Sequence, residues 1–336
     1  MNHSSSEHNT NPTVYVDRRD PQLERSGKHF VESFRHLRFI EDFQRAEAIF
    51  IKPNLTYPTY KPGVTTRPEF IEYLVAALRG INSTTKIIIG EGEGGYNTFS
   101  MTEAMHTMGF YKLEKQFPNV NIVNLTDLSS KECELTAHGR PYRIALPTIF
   151  FDNIDFSISC PLPKVHGMTK VTLSFKNQWG CLPDTMRLNN HFVFNEIISQ
   201  ISDTLKFRYA FLDGRYGLDT NGPMDGDPVE VNWFVASNSL GAFDMTVADL
   251  MGFDWRNIGY LKSAGKYGLL PDPESIRVVG DIDQLRRKFT LKRGFWHYPA
   301  LAAFHSSRLT HLFYFSKAAK PLHDMMYLFR KRPISE

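Results

Sequence analysis

The sequence predicts an α/β protein. The expected core is a mostly parallel, open, Rossmann-like sheet flanked by helices. It carries an inserted β-hairpin and ends in a basic, aromatic, helical C-terminal tail. Three observations predict this. Short β-branched runs alternate with stretches of helical period, which requires crossover connections and therefore parallel strands. Apolar residues at 42% and charged residues at 22% lie near globular averages and exclude wholesale disorder. A length of 336 residues is room for one large or two ordinary domains.

The elements follow in chain order. Met1 to Pro12 is polar, lacks an apolar core and reads as a disordered tip rather than a secretory signal. The α/β domain is expected over residues 13–283. Ala48 to Lys52 reads as a buried strand, and Arg67 to Arg79 as a helix with Thr66 as N-cap and Pro68 near its start. Lys86 to Ile89 is the next strand, followed by a glycine-rich loop. A helix then opens at Ser100, where Glu103 three residues on completes a capping-box spacing. Val120 to Leu125 is a third strand. Glu132 to Ala137 and Tyr142 to Leu146 alternate around His138-Gly139 and predict the hairpin. Asp155 to Cys160, Tyr209 to Asp213 and Val231 to Ala236 read as strands, and Ile276 to Val279 as an edge strand. Val193 to Leu205 and Gly241 to Met251 read as helices.

Composition excludes several functions. The formal charge of +3 argues against a globally basic nucleic-acid binder. Three cysteines, none in a Cys-x-x-Cys pair, exclude a disulfide scaffold, a zinc ribbon and a four-cysteine iron–sulfur cluster held by this chain alone. No window approaches the roughly 18 consecutive apolar residues of a spanning helix, so the expected location is the cytoplasm. The charge is unevenly spread. Residues 285–336 hold eleven Lys or Arg against Asp324 and Glu336, a net +9, which leaves −6 for the remainder. Ten Phe, Trp or Tyr residues share that segment. Basic clusters beside aromatics suit an anionic membrane surface at its inner face, where each cation contributes roughly 1 kcal/mol. Packing of the tail on the main domain and recognition of a protein partner are the alternatives.

In open α/β sheets ligands bind beyond the carboxyl ends of the strands. Here those ends carry Lys52-Pro53-Asn54, Gly90-Glu91-Gly92-Glu93-Gly94-Gly95, Pro163-Lys164-Val165-His166, Ser174-Phe175-Lys176-Asn177, Asp213-Gly214 and Asn221 through Asp227. Lysines supply charge to an anion and asparagines fix its orientation. A lysine in a dry site becomes a base, and a histidine transfers protons near neutral pH. Lys164, His166, Lys176 and Asp213 are therefore the candidate catalytic residues. Lys52, Asn54, Glu91, Asn177, Asn221 and Asp227 are the candidate substrate-binding residues. Glu91 or Glu93 could instead hold a metal or take a proton, and no metal is named.

Competing motifs fail on their own terms. Gly90, Gly92 and Gly95 formally fit a dinucleotide fingerprint, yet Glu91 and Glu93 would repel a pyrophosphate. Asp219 to Glu230 imitates a calcium loop but has Pro223 and Met224 where an EF-hand needs a ligand and a glycine. No His-Glu-x-x-His, Walker loop or Gly-x-Ser-x-Gly elbow occurs. Cys160 and Cys181 lie in motif regions, where an inert buried thiol is the commoner outcome.

These same strand-end motifs, in this order, resemble the domain-of-unknown-function family 362 over roughly residues 49–283. The resemblance implies a cytoplasmic α/β domain whose crevice lies at these lysines, asparagines and histidine. Some members carry a ferredoxin-type cysteine module. This chain has no such cysteines, so no iron–sulfur cluster is expected within it, and a redox role would need an external electron donor. The family is also similar in fold to a domain of nickel-pincer lactate racemase, an analogy that transfers no chemistry. The expected function is an enzyme acting on a small anionic molecule, a carboxylate or phosphate, by reduction or proton transfer. The alternatives are a non-catalytic binder of an anionic metabolite and a peripheral membrane accessory protein acting through residues 285–336.

Overall fold

The computed structural model describes residues 11–94, 99–295, 297–317, 319 and 321–322. Most of the expected disordered tip, Gly95, and the tail beyond residue 322 lie outside the described residues.

Thirteen strands occur among the described residues: β1 (Thr13–Arg18), β2 (Ala48–Lys52), β3 (Lys86–Glu91), β4 (Val120–Asn124), β5 (Ser130–Ala137), β6 (Arg140–Pro147), β7 (Phe156–Ser159), β8 (Lys164–His166), β9 (Lys170–Thr172), β10 (Phe207–Phe211), β11 (Gly214–Asp219), β12 (Asp227–Ser237) and β13 (Arg277–Val279). Eleven form one mixed, mostly parallel sheet in the order β4-β3-β2-β7-β10-β12-β11-β8-β9. β1 pairs with β12 and with β13. β2 is parallel to both β3 and β7, with Ile51 opposite Ile89 on one side and Ile158 on the other.

β-branched and aromatic residues with a period of two decide how the sheet is covered. Ile49 and Ile51 of β2, with Ile87 and Ile89 of β3, face one layer. That layer holds the helices Lys28–Leu37, Phe39–Arg45, Pro68–Arg79 and Met101–Thr107. Ala48, Phe50 and Ile88 face the other, formed by Phe194–Thr204, Leu240–Leu250 and Gly259–Lys266. Phe30, Phe34, Phe39 and Phe43 are fully buried in the first layer, each burial contributing about 1.5–3 kcal/mol. Pro68–Arg79 therefore crosses one face between β2 and β3, and Phe194–Thr204 crosses the other between β7 and β10. This is a doubly wound sheet whose order reverses between β2 and β7.

The hairpin β5–β6 forms as expected, a separate two-stranded sheet. His138 and Gly139 both have positive φ, as its tight turn requires. It rests on Phe194–Thr204, where Gln200 bonds both the N–H and C=O of Thr136.

Several local expectations need correction. Thr66 does not cap the helix at Pro68; Arg67 holds the N-cap position without a side-chain cap. The Thr66 hydroxyl instead accepts from Asn54 N–H and donates to the Cys160 carbonyl. Gly90 and Glu91 belong to β3 rather than to a loop. A Cβ at Gly90 would lie 2.7 Å from Val123, so glycine lets β3 pack closely on its neighbour. Lys164 and His166 lie on the short strand β8 rather than in a loop, and Gly214 opens β11. Ser100 does cap its helix through Glu103 N–H.

Candidate functional site

Lys52 is the last residue of β2, and Glu91 is the last residue of β3. Parallel neighbours thus deliver a cation and an anion to one place. The Lys52 ammonium is fully buried and donates to Glu91 Oε2 at 2.5 Å and to the Pro53 carbonyl at 2.8 Å. Leu55 N–H donates to the same carboxylate oxygen at 3.0 Å. A Cβ at Gly180 would lie 1.9 Å from Glu91 Oε1 and 2.9 Å from Lys52 Nζ, so glycine is what admits the pair. A buried pair so bonded is balanced, and its removal one partner at a time is costly.

Beside the pair opens a cavity of about 190 Å³, enough for about six water volumes. Lys164, Lys176 and Arg187 line it together with Asn54, Asn177 and Glu91. Trp179, Leu55, Phe99, Met101 and Met224 supply apolar walls. Lys164 is fully buried and spends its ammonium on Asn54 Oδ1 at 2.5 Å, the Val64 carbonyl at 2.9 Å and Thr56 Oγ1 at 3.3 Å. Asn54 donates to Asn177 Oδ1, and Asn177 donates to the Lys52 carbonyl and Ser159 Oγ. The two asparagines therefore form a rigid relay that orients Lys164.

Lys176 is different. It makes no hydrogen bond or ion pair with any described residue, and the Phe194 ring lies 5.7 Å from its ammonium. Its position is nevertheless firm. Asp244, buried on Leu240–Leu250, accepts from the N–H and hydroxyl of Ser174 and from Phe175 N–H. It thereby caps the short helix Ser174–Asn177. Burial and the neighbouring Arg187 push the Lys176 amine down to about 7. Burial, then Lys176, push Lys164 well below its ordinary value. Thr172, also lining the cavity, has a buried hydroxyl with no protein partner. The cavity thus has cationic and hydrogen-bonding capacity that the protein leaves unused.

Five of the ten predicted residues line the cavity, Asn54, Glu91, Lys164, Lys176 and Asn177, and Lys52 adjoins it through Glu91. The other four lie elsewhere. Asp213 lies in a buried ion network, where it accepts from Arg67 N–H at 2.7 Å and Arg67 Nε at 2.8 Å. Arg67 also bonds Glu24, which Arg19 clasps with two donors. Burial raises the Glu24 carboxyl, but Arg19 and Arg67 outweigh it and hold it below the usual range. His166 is near Lys176 and Lys164, yet burial keeps its ring neutral, and Nδ1 accepts from Met168 and Thr169 N–H. Asn221 bonds His297 at 3.0 Å, and exposed Asp227 accepts from Thr220 Oγ1 at 2.9 Å. Glu93 accepts from Met101 N–H and Asn124. Burial pushes Cys181 up to about 12 and Cys160 well above its usual value, so both are inert thiols at neutral pH. Among the described residues no group of three or more His, Cys, Asp or Glu side chains gathers as a metal site.

Sequence reasoning missed Arg187, Trp179, Thr56, Thr172 and Asp244. Arg187 follows a turn with no distinguishing pattern. Asp244 did leave a signal: it is a fully buried acid within an otherwise largely apolar helix.

The described part of the tail packs on the domain. Phe289 is buried against Trp233, and Phe304 against His191 and Phe194. Arg293 donates to the Gly167 carbonyl. Phe295 and Tyr298 remain 75% and 61% exposed. No helix of the described residues is long and apolar enough to cross a membrane.

Fold and site define a doubly wound α/β protein with a cationic crevice at its switch point. More particularly, the chain belongs to the domain of unknown function family DUF362, whose model matches residues 49–249. It is 30% identical over 124 residues to a thylakoid-associated protein of Synechocystis sp., covering 35% of this chain and 39% of that protein. The match thus spans about two fifths of the length of that curated relative. Among solved structures, lactate racemase apoprotein from Thermoanaerobacterium thermosaccharolyticum is similar with a TM-score of 0.47 and 11% identity, covering 72% of this chain and 57% of that one. A Thermotoga maritima protein is similar with a TM-score of 0.37 and 10% identity, covering 76% and 61%. Neither transfers chemistry to this chain.

Proposed function

We propose that this protein is an enzyme acting on a small anionic substrate, a carboxylate or phosphate, by proton transfer at the Lys164–Lys176–Arg187 crevice. One observation carries the reading. Three cationic side chains line a single cavity whose only carboxylate among the described residues, Glu91, is already bonded to Lys52. An anion entering the cavity supplies the missing negative charge. Arg187 holds it directly, and Lys164, fixed by Asn54, Val64 and Thr56, adds positive potential from the cavity wall. Lys176, whose amine titrates at about 7, gives or takes the proton. Low dielectric strengthens each of these interactions.

Titration calorimetry with acetate and with inorganic phosphate tests the binding step. Lys164→Ala and Lys176→Ala are expected to stay folded and lose affinity for at least one anion. Unchanged affinity in both variants removes the assignment. Turnover with a bell-shaped or sigmoidal pH dependence separates an enzyme from a non-catalytic metabolite binder, which has no turnover.

A second reading concerns the tail. Exposed Phe295 and Tyr298 stand near Lys288, Lys292 and Arg293, a pattern that suits an anionic membrane surface. The printed name of the Synechocystis relative, thylakoid-associated, points the same way. Sedimentation with anionic liposomes at low salt is the check. A Phe295→Ser/Tyr298→Ser double variant should lose it, and a wild-type protein that stays in the supernatant ends the idea.

A further inference from the structure

We propose that Lys176 is an amine nucleophile that condenses with the carbonyl group of a small oxo-carboxylate whose carboxylate is held by Arg187. This rests on the anion reading of the crevice and names its substrate class.

Buried Lys52 and Lys164 and half-buried Lys176 divide by what their nitrogens already do. Lys52 is bonded to Glu91 and Pro53. Lys164 has three acceptors, Asn54, Val64 and Thr56, for its three N–H groups. Only Lys176 presents a nitrogen to the cavity with no hydrogen bond or ion pair to a described residue. A nitrogen with no acceptor has nothing to give up when its electron pair attacks.

The backbone that carries it is held on both sides. Ser174 and Phe175 donate to Asp244, and Asn177 donates to the Lys52 carbonyl and Ser159. The amine is thus aimed into the cavity by the helix rather than by a partner at its tip. Among the described residues Arg187 donates to the Leu182 and Gly92 carbonyls alone, which leaves further guanidinium N–H groups for a carboxylate. Trp179, Leu55 and Met224 supply apolar walls to the cavity that Lys176 lines. Burial and the adjacent Arg187 supply the remaining requirement, a substantial neutral fraction at neutral pH.

The step balances without a redox partner. The Lys176 Nζ electron pair forms a C–N bond to the carbonyl carbon, and the C=O π pair moves to oxygen. One amine proton passes to that oxygen. It then leaves as water with a second proton from solvent, and nitrogen completes a C=N bond that keeps its last N–H and a positive charge.

The test uses the full chain, glyoxylate as the probe, cyanoborohydride to trap the adduct, and peptide mass mapping. Lys176 is expected to label about tenfold or more faster than exposed lysines, which are almost wholly protonated at pH 7. Its rate should rise with pH through a midpoint near 7. Lys176→Arg should lose the label, because a guanidinium is no amine nucleophile. Acetate should slow labelling by glyoxylate, and acetaldehyde should label far less. Acetate or phosphate binding without an adduct at Lys176 overturns the nucleophile and leaves the anion crevice standing. Equal labelling by acetaldehyde and glyoxylate overturns the oxo-carboxylate assignment together with the anion reading. Labelling that follows surface exposure alone overturns the whole proposal.

Discussion

Two charged regions of this molecule, one buried and one half-buried, are built on opposite plans. In the Arg19–Glu24–Arg67–Asp213 network and the Lys52–Glu91 pair, every cation has a carboxylate within 2.9 Å. In the crevice beside that pair, Lys164, Lys176 and Arg187 have none in contact among the described residues. The balanced charges hold loops together: Arg67 joins the start of its helix to the turn after β10, and Lys52 joins the ends of β2 and β3. Lys164, Lys176 and Arg187 make no ion pair with a described residue. Their depressed pKa values record that burial is working against them. The contrast teaches that a buried cation alone is not a sign of function; a buried cation without its anion is.

The largest effect that sharpens this contrast is expected at Lys52. Lys52→Met leaves Glu91 buried without its partner and should destabilise the protein by about 3–5 kcal/mol. Chemical denaturation measures it, and a loss under about 1 kcal/mol would mean the pair is no structural clamp.

Lys176→Met should do the reverse. Anion affinity should drop at least tenfold, about 1.4 kcal/mol. Stability at pH 7 should hold or rise by about 0.5–2 kcal/mol, because an unfavourable charge is gone. A variant that loses stability breaks the comparison.

The same residue predicts a pH dependence. Its folded pKa is about 7 against an ordinary 10.5, so between these values the unfolded chain binds more protons. Its contribution to stability therefore rises with pH across that window. Lys176→Met should flatten the slope of the denaturation midpoint there, and anion affinity should fall as pH rises past about 7.

Asp244→Asn touches neither region directly. It weakens the cap of Ser174–Asn177 and should cost about 1 kcal/mol of stability while loosening anion binding through Lys176. Asp244 also titrates at about 7, since burial lifts it despite its donors. The smallest effect belongs to Asp227→Ala, expected within about 0.5 kcal/mol and neutral for anion binding. A loss of binding there would return the exposed loop to the site.

Local patterns reached a good part of this. The strands Ala48–Lys52 and Phe156–Ser159, the hairpin, and the helices Phe194–Thr204 and Leu240–Leu250 follow from periodicity and turn chemistry. Strand ends in a parallel sheet then located Lys52, Glu91, Asn54, Lys164, Lys176 and Asn177. β8, β9 and β11 escaped notice because strands of three residues, or ones rich in Gly and Arg, lack a periodic signature. Asp213 also sits at a strand end, yet Arg67, 146 positions away in the chain, neutralises it. Nothing local distinguishes its environment from that of Lys176.

By itself the sequence determined the doubly wound layout and the supply of lysines and asparagines at the strand ends, since hydrophobic period and strand–helix alternation are short-range properties of the chain. Only the tertiary structure decided which charges are paired. Ion pairing depends on residues brought within a few ångströms by crossovers, and a lysine is ion-paired beside Glu91 or left without an acid partner among the described residues beside Arg187 according to which neighbour the fold delivers.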